Sequence, residues 1–258
     1  LELGHSVLAT DHLNSYVASN AYQQTRDGDT SIFGMWLEED QRILALLESG
    51  QPGGTDINNG PLRLRIEENA YFDVATNPCN AVPLLLLTEY PDTIRPYPIE
   101  VIIEYDIGKV TLRFSEHVDA TPQASMNTGQ MHISNTTYGT ELRMVDLVSF
   151  DETDGINVTL YIREIYRNQG LRMSGVKGGD GNTAFMNFRP SSFRDMAGNF
   201  NDQFFSIPMT EIPDTRPPEI IGSELFYGTG LLFIHFSESI DVTPTDMVNV
   251  SGFYISNE

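Results

Sequence analysis

One six-residue pattern returns in this chain at a set distance, and that recurrence limits the possible folds more than any other feature. Phe114-Ser115-Glu116-His117-Val118-Asp119 reappears as Phe236-Ser237-Glu238-Ser239-Ile240-Asp241, and 236 − 114 = 122. In the same register Thr121-Pro122 matches Thr243-Pro244, and Ile133-Ser134-Asn135 matches Ile255-Ser256-Asn257. A second landmark, Asp195-Met196-Ala197-Gly198-Asn199, answers Asp73-Val74-Ala75-Thr76-Asn77, with 195 − 73 = 122. Pro213-Asp214-Thr215 answers Pro91-Asp92-Thr93 in the same way. Self-similarity at a constant period is what end-to-end structural units produce. The expected division is 1–94 as the C-terminal part of one unit, 95–216 as a complete unit, and 217–258 as the N-terminal part of a further one. With Leu1 in first place and no hydrophobic leader, the chain reads as an interior stretch of a longer protein.

Within the complete unit the pattern is that of strands and turns. Val101-Ile102-Ile103 and Val110-Thr111-Leu112-Arg113-Phe114 flank a glycine-containing turn, Tyr105-Asp106-Ile107-Gly108-Lys109. Further strands are expected at 130–134, 142–149, 156–162, 184–188 and 203–208. Seven or so short strands indicate an all-β, antiparallel sandwich. One region departs from this, because residues 37–50 carry Ile43, Leu44, Leu46 and Leu47 among Glu and Gln with Gly50 as a stop. It and its weaker counterpart, 161–170, predict a short helical crossover between two late strands. The units are linked by Pro91-Asp92-Thr93-Ile94-Arg95-Pro96-Tyr97-Pro98 and Pro213-Asp214-Thr215-Arg216-Pro217-Pro218, whose prolines predict semi-rigid spacers.

Lys and Arg total 15 against 36 Asp and Glu, a formal charge of −21, so nucleic acid phosphates and anionic lipid are not expected partners. No apolar run is long enough to span a bilayer. The single cysteine, Cys79, cannot form a disulfide within the chain and has no basic neighbour to activate it. His5, His12, His117, His132 and His235 lack metal-ligand spacing, and no Gly-x-Ser-x-Gly elbow occurs. The glycine-rich run at 175–182 has its lysine ahead of the glycines and predicts a flexible loop rather than a phosphate cradle. A catalytic role and an organic cofactor are therefore not expected. Calcium is the one metal ion with candidate ligands, since it takes several oxygens at once. Asp195, Asn199, Asn201 and Asp202 form the leading cluster, with Asp27, Asp29 and Asp151, Glu152, Asp154 as others. The alternative is that these side chains satisfy backbone groups in turns. Glycosylation sequons begin at Asn135, Asn157 and Asn249.

At Phe114-Ser115-Glu116 with Val118-Asp119, at Asp195-Met196-Ala197-Gly198-Asn199, and at Asp214-Thr215-Arg216-Pro217-Pro218, the chain resembles the tandem bacterial-Ig-like modules of extracellular surface and filament proteins. The likeness covers 99–258 and, through the 122-residue register, most of the first copy. The first copy departs from it at Thr76, where glycine is expected, and at Pro78-Cys79. The resemblance implies tandem Ig-like sandwiches in an extracellular or cell-surface setting, as in adhesins, cell-wall and surface-layer proteins, and the hair-like (mastigoneme) filaments of some flagellated algae. The leading expectation is a non-catalytic structural segment of a fibre, filament or coat. Its partners would be neighbouring modules, copies of the same protein, and other fibre or cell-wall components. The alternatives are an adhesin stalk that presents a distant ligand-binding domain, and accessory modules of a secreted carbohydrate-active enzyme.

Overall fold

The computed structural model describes residues 2–4, 16–17, 22–26, 29–55, 60–145, 149–151, 153–244 and 247–256. In chain order the elements are β1 (Glu2–Gly4), β2 (Tyr16–Val17), β3 (Tyr22–Arg26), β4 (Asp29–Trp36), α1 (Glu39–Glu48), β5 (Arg63–Ile66) and β6 (Val82–Leu86). Then come β7 (Pro98–Glu104), β8 (Lys109–Val118), β9 (Met131–Ser134), β10 (Leu142–Arg143), β11 (Ser149–Phe150), β12 (Gly155–Tyr161), α2 (Glu164–Arg172), β13 (Phe185–Phe188) and β14 (Phe204–Ile212). A hairpin of β15 (Ile220–Phe226) and β16 (Leu231–Phe236) follows. The fold is mostly β, as the alternating pattern implies, and each helix follows a strand as a crossover.

Eight strands form one curled sheet in the order β10-β9-β13-β14-β7-β8-β12-β11. Its two halves face each other across the core. Val110, Leu112 and Phe114 of β8, Val101 and Ile103 of β7, and Val158 and Leu160 of β12 alternate inward from one half. Met131 and Ile133 of β9 and Met186 and Phe188 of β13 meet them from the other. Phe193 closes the stack, with its ring 4.5 Å from Phe114 and edge-on to Phe188 at 5.6 Å.

The sheet departs from an all-antiparallel pattern at one pair. β14 spends its first half antiparallel to β13, as in Phe185↔Pro208, and its second half parallel to β7, from Met209↔Val101 to Ile212↔Glu104. The switch lies next to Ser206, whose φ of 56° bends the strand, and Pro208, which has no N–H to give to a ladder. Asn187 steadies the bend by accepting the Ser206 N–H at 2.6 Å. The expected strand at 142–149 is divided instead between β10 and β11, which lie at opposite edges of the sheet.

The copies correspond strand for strand. The order β2-β1-β5-β6 repeats β10-β9-β13-β14, hairpin β3–β4 precedes α1 as β11–β12 precedes α2, and β15–β16 pair as β7–β8 do. The period, however, is not constant. It is 122 at Arg63 and Phe185 but 125 at the helices, since 164 − 39 = 125. Gly53 and Gly54 correspond to Gly178 and Gly179 at 125, and Leu62 to Ala184 at 122, so the first copy carries three more residues between Gly54 and Leu62.

Phe193→Ala removes the ring shared by both halves of the core and is expected to destabilise the protein by about 3–5 kcal/mol. Urea unfolding followed by tryptophan-independent circular dichroism checks this.

Candidate functional site

The inward row of β8 continues past Phe114 to Glu116, which is only 6% exposed. A carboxylate buried in an otherwise apolar register needs a charge partner and hydrogen bonds. The partner comes from the preceding copy. Arg42, in the first turn of α1, sets Nη2 at 3.0 Å from Glu116 Oε2 and Nη1 at 2.6 Å from Asp92 Oδ2 in the linker. Glu39, three residues earlier on the same helix face, accepts from Arg42 Nε and Nη2 at 2.7 and 2.8 Å. The Glu39 carboxylate also accepts the backbone N–H of His117 at 2.8 Å, and the His117 ring lies 3.2 Å from the same oxygen. A planar guanidinium can serve three carboxylates at once; an ammonium in its place would lack that fork.

The second landmark closes the same site. Asp195, 1% exposed, accepts the Asn199 N–H and Asn199 Nδ2, each at 2.8 Å, while Nδ2 also donates to the Asp92 carbonyl at 3.1 Å. The loop after α1 packs against this turn. Gly53 has φ of +93°, and a Cβ there would stand 2.2 Å from the Met196 carbonyl oxygen. The three signatures of the repeat, Phe-Ser-Glu, Asp-x-x-Gly-Asn and the linker Asp, thus converge where one copy meets the next. The first-copy turn keeps the same bonds despite its departure from the pattern. Asp73 accepts from Asn77 N and Nδ2, each at 2.8 Å, with Thr76 held at φ 67° in the glycine's place.

The arrangement occurs again at the following boundary. Arg167 of α2 reaches Glu238 at 2.8 Å, Asp214 at 3.6 Å and Glu164 at 2.7 Å, and Glu164 accepts the Ser239 N–H at 2.8 Å. Arg167 donates further to the carbonyls of Tyr105 and Asp106 at 3.0 and 2.9 Å.

The electrostatics run in parallel at both places. Burial raises the Glu39 carboxyl, but hydrogen bonds from Arg42 and His117 outweigh it and hold the pKa below the usual value; Glu164 is lowered on the same terms by Arg167 and the Ser239 N–H. Glu116 goes the other way, pushed up to about 7 by burial and then by repulsion from Asp92. Glu238 is likewise raised, chiefly by burial. Burial raises Asp195 as well, against the hydrogen bonds from Asn199. More carboxylates crowd the first boundary than one guanidinium neutralises.

Among the described residues, carboxylate oxygens of Asp92, Glu116 and Asp195 lie within 4.8 Å of one another and could hold a divalent cation, although Arg42 already sits on two of them. The four residues singled out from sequence have separate surroundings. Asp195 and Asn199 belong to this cluster. Asn201 caps backbone, accepting from the Phe193 N–H and donating to the Arg189 carbonyl, and Asp202 pairs with Arg95 on the surface. Of the other acidic groups, Asp154 accepts from the N–H groups of Ala120 and Thr121. His5, His12, Asp27 and Glu152 lie outside the described residues. His132 is buried beside Met131 and Ile133, and His235 faces Glu224 at the surface.

Of the sequon asparagines, Asn157 is exposed on β12, Asn135 donates its Nδ2 to Asp180 at 2.7 Å, and Asn249 is exposed and accepts from Ser251. Nothing in the sequence marks Arg42, Asp92 and Glu116 as a group. The available signal was Glu116, a charge on the apolar parity of a strand. Comparison with protein-family models, curated proteins and solved structures finds no match to this chain.

Two experiments probe the site. Gly53→Ala meets backbone of the next copy, whereas the equivalent Gly178→Ala meets only the Leu171 side chain at 3.5 Å. Gly178→Ala is expected to cost roughly 1–2 kcal/mol of backbone strain, and Gly53→Ala clearly more, as read by thermal unfolding of the two variants side by side. The second experiment concerns pH. Because Glu116 has its folded pKa raised to about 7 from 4.5, its folded form keeps the proton while the unfolded form releases it. Its contribution to stability therefore falls as pH rises from about 4.5 to 7. Glu116→Gln removes that slope, so the melting temperature of the variant minus that of the native chain should increase across this window.

Proposed function

We propose that this chain is a non-catalytic structural segment of a long extracellular fibre, filament or cell-surface coat, built from tandem Ig-like sandwich modules. The observation that carries the reading is the arginine-centred contact found at both boundaries, with the same residue types joined in the same way. An interface repeated from unit to unit gives each unit the same orientation to its neighbour, and that is a requirement for an extended, regular rod rather than beads on a flexible string. The strand order supports the Ig-like part of the reading. β7, β8, β12 and β11 correspond in order to strands A, B, E and D of such a sandwich, and β9, β13 and β14 to C, F and G, with β10 as an added edge strand. The short proline-bearing linkers agree with it.

In this reading the acidic surface keeps rods soluble and apart from nucleic acid, and lateral contacts with further copies or other wall components build the fibre. Calcium at the Asp92, Glu116 and Asp195 cluster would tighten a boundary that carries excess negative charge. The test is electron microscopy of the full-length native protein with and without a calcium chelator. Ordered filaments or sheets with an axial repeat of roughly 40 Å per unit, the span of eight-to-ten-residue strands plus loops, are expected. Isolated rods under all conditions would instead make the segment a stalk, and softening only in chelator would locate calcium at the boundaries.

A further inference from the structure

Both boundaries divide into two halves whose internal spacing is fixed. On the helix side, glutamate and arginine are three apart in each copy, with 42 − 39 = 3 and 167 − 164 = 3. On the receiving side, linker aspartate and strand glutamate are 24 apart in each copy, with 116 − 92 = 24 and 238 − 214 = 24. Between the halves the spacing differs, since 92 − 42 = 50 but 214 − 167 = 47. The surroundings differ as well. The linker reads Ile94-Arg95-Pro96 in one and Arg216-Pro217-Pro218 in the other. The N–H received by the helix glutamate comes from His117 in one and Ser239 in the other. The arginine side chain is 33% exposed at the first boundary and 9% at the second. What stays constant is the set of contacts: arginine to helix glutamate, arginine to linker aspartate, arginine to strand glutamate, and helix glutamate to the N–H after the strand glutamate.

From this we infer that Glu-x-x-Arg at the start of each helix is a docking key, and that it fits the leading end of any following copy that offers the linker aspartate, the Phe-Ser-Glu glutamate and the next backbone N–H. The partner is chemically defined as another unit of this repeat, whichever its position. The key recognises charge and a single amide, so it tolerates change in the linker, in the side chain after Phe-Ser-Glu and in the loop lengths of its own unit. A unit whose helix lacked the arginine would lose the ion-paired half of the joint, keeping the linker and the helix glutamate's bond to the next backbone N–H, and would form a looser joint. The inference deepens the rod reading by naming what makes each joint stiff.

The readout is hydrogen exchange of the Ser239 amide in the whole chain, measured by NMR, with the His117 amide as internal control. Arg167→Glu and Glu238→Arg, each alone, are expected to speed Ser239 exchange by about tenfold or more while leaving His117 unchanged. Arg167→Lys, which keeps the charge without the fork that also reaches the Tyr105 and Asp106 carbonyls, should speed it less than Arg167→Glu does. A second variant replaces residues 214–239 with the sequence of 92–117, so that α2 meets the leading end that normally faces α1. Protection of the amide at position 239 in that chain supports interchangeable docking. Unchanged exchange in the single variants, or Arg167→Lys exchanging as fast as Arg167→Glu, overturns the key. Loss of protection in the replacement chain, with the control amide still protected, overturns interchangeability. A failure of the fibre reading is separate, because isolated rods in the microscope leave these exchange rates as they are.

Discussion

A carboxylate on the inward row of a strand is the constraint around which this molecule is arranged. β8 contributes Val110, Leu112 and Phe114 to the core and then, without changing parity, sends Glu116 inward too. An unpaired charge at such a place would cost several kcal/mol. The strand can keep it because α1 of the preceding copy delivers a guanidinium, and the linker and the Asp195 turn enclose the remaining sides. The core of one unit and its attachment to the next are consequently parts of a single strand, and a shift of β8 by one residue would undo both.

Exposed single ion pairs contribute little, but this cluster is of another kind. Arg42 is engaged on three carboxylates, one of which also holds a backbone N–H. Such a network fixes geometry more than it adds stability, since the desolvation of its members offsets much of their attraction. The raised Glu116 and lowered Glu39 express that balance: the helix glutamate is well served by donors, and the strand glutamate is the member left short of them.

Much of the fold was legible in the sequence because it rests on local alternation. The β7–β8 hairpin, β12, β13 and both helices fall within a few residues of where periodicity puts them. The parallel pairing of β14 with β7 was not, since it depends on where the last strand of a unit returns, and Ser206 gives no local sign of a left-handed backbone. The repeat signatures were plain, but their common purpose was hidden. Arg42 and Glu116 are separated by 74 residues, and although Glu116 falls on the apolar parity of its strand, nothing local names Arg42 as its partner. The oxygen-rich composition of the Asp195 turn suggests a cation site from sequence, and its position gives that composition another use: Asp195 and Asn199 shape the turn, and Asn199 fastens it to the linker. The departure at Thr76 likewise had little structural effect, because the aspartate and asparagine at the ends of the turn hold it without the glycine.

The parallel run of β14 beside β7 also decides how the complete unit would respond to tension. The chain enters that unit at the start of β7 and leaves it at the end of β14, and these are neighbouring strands pointing the same way. Pulling the two ends apart slides one strand along the other, so the hydrogen bonds from Met209 to Ile212 are loaded together instead of parting one after another. An antiparallel arrangement of the same two strands would have let them peel open from one end.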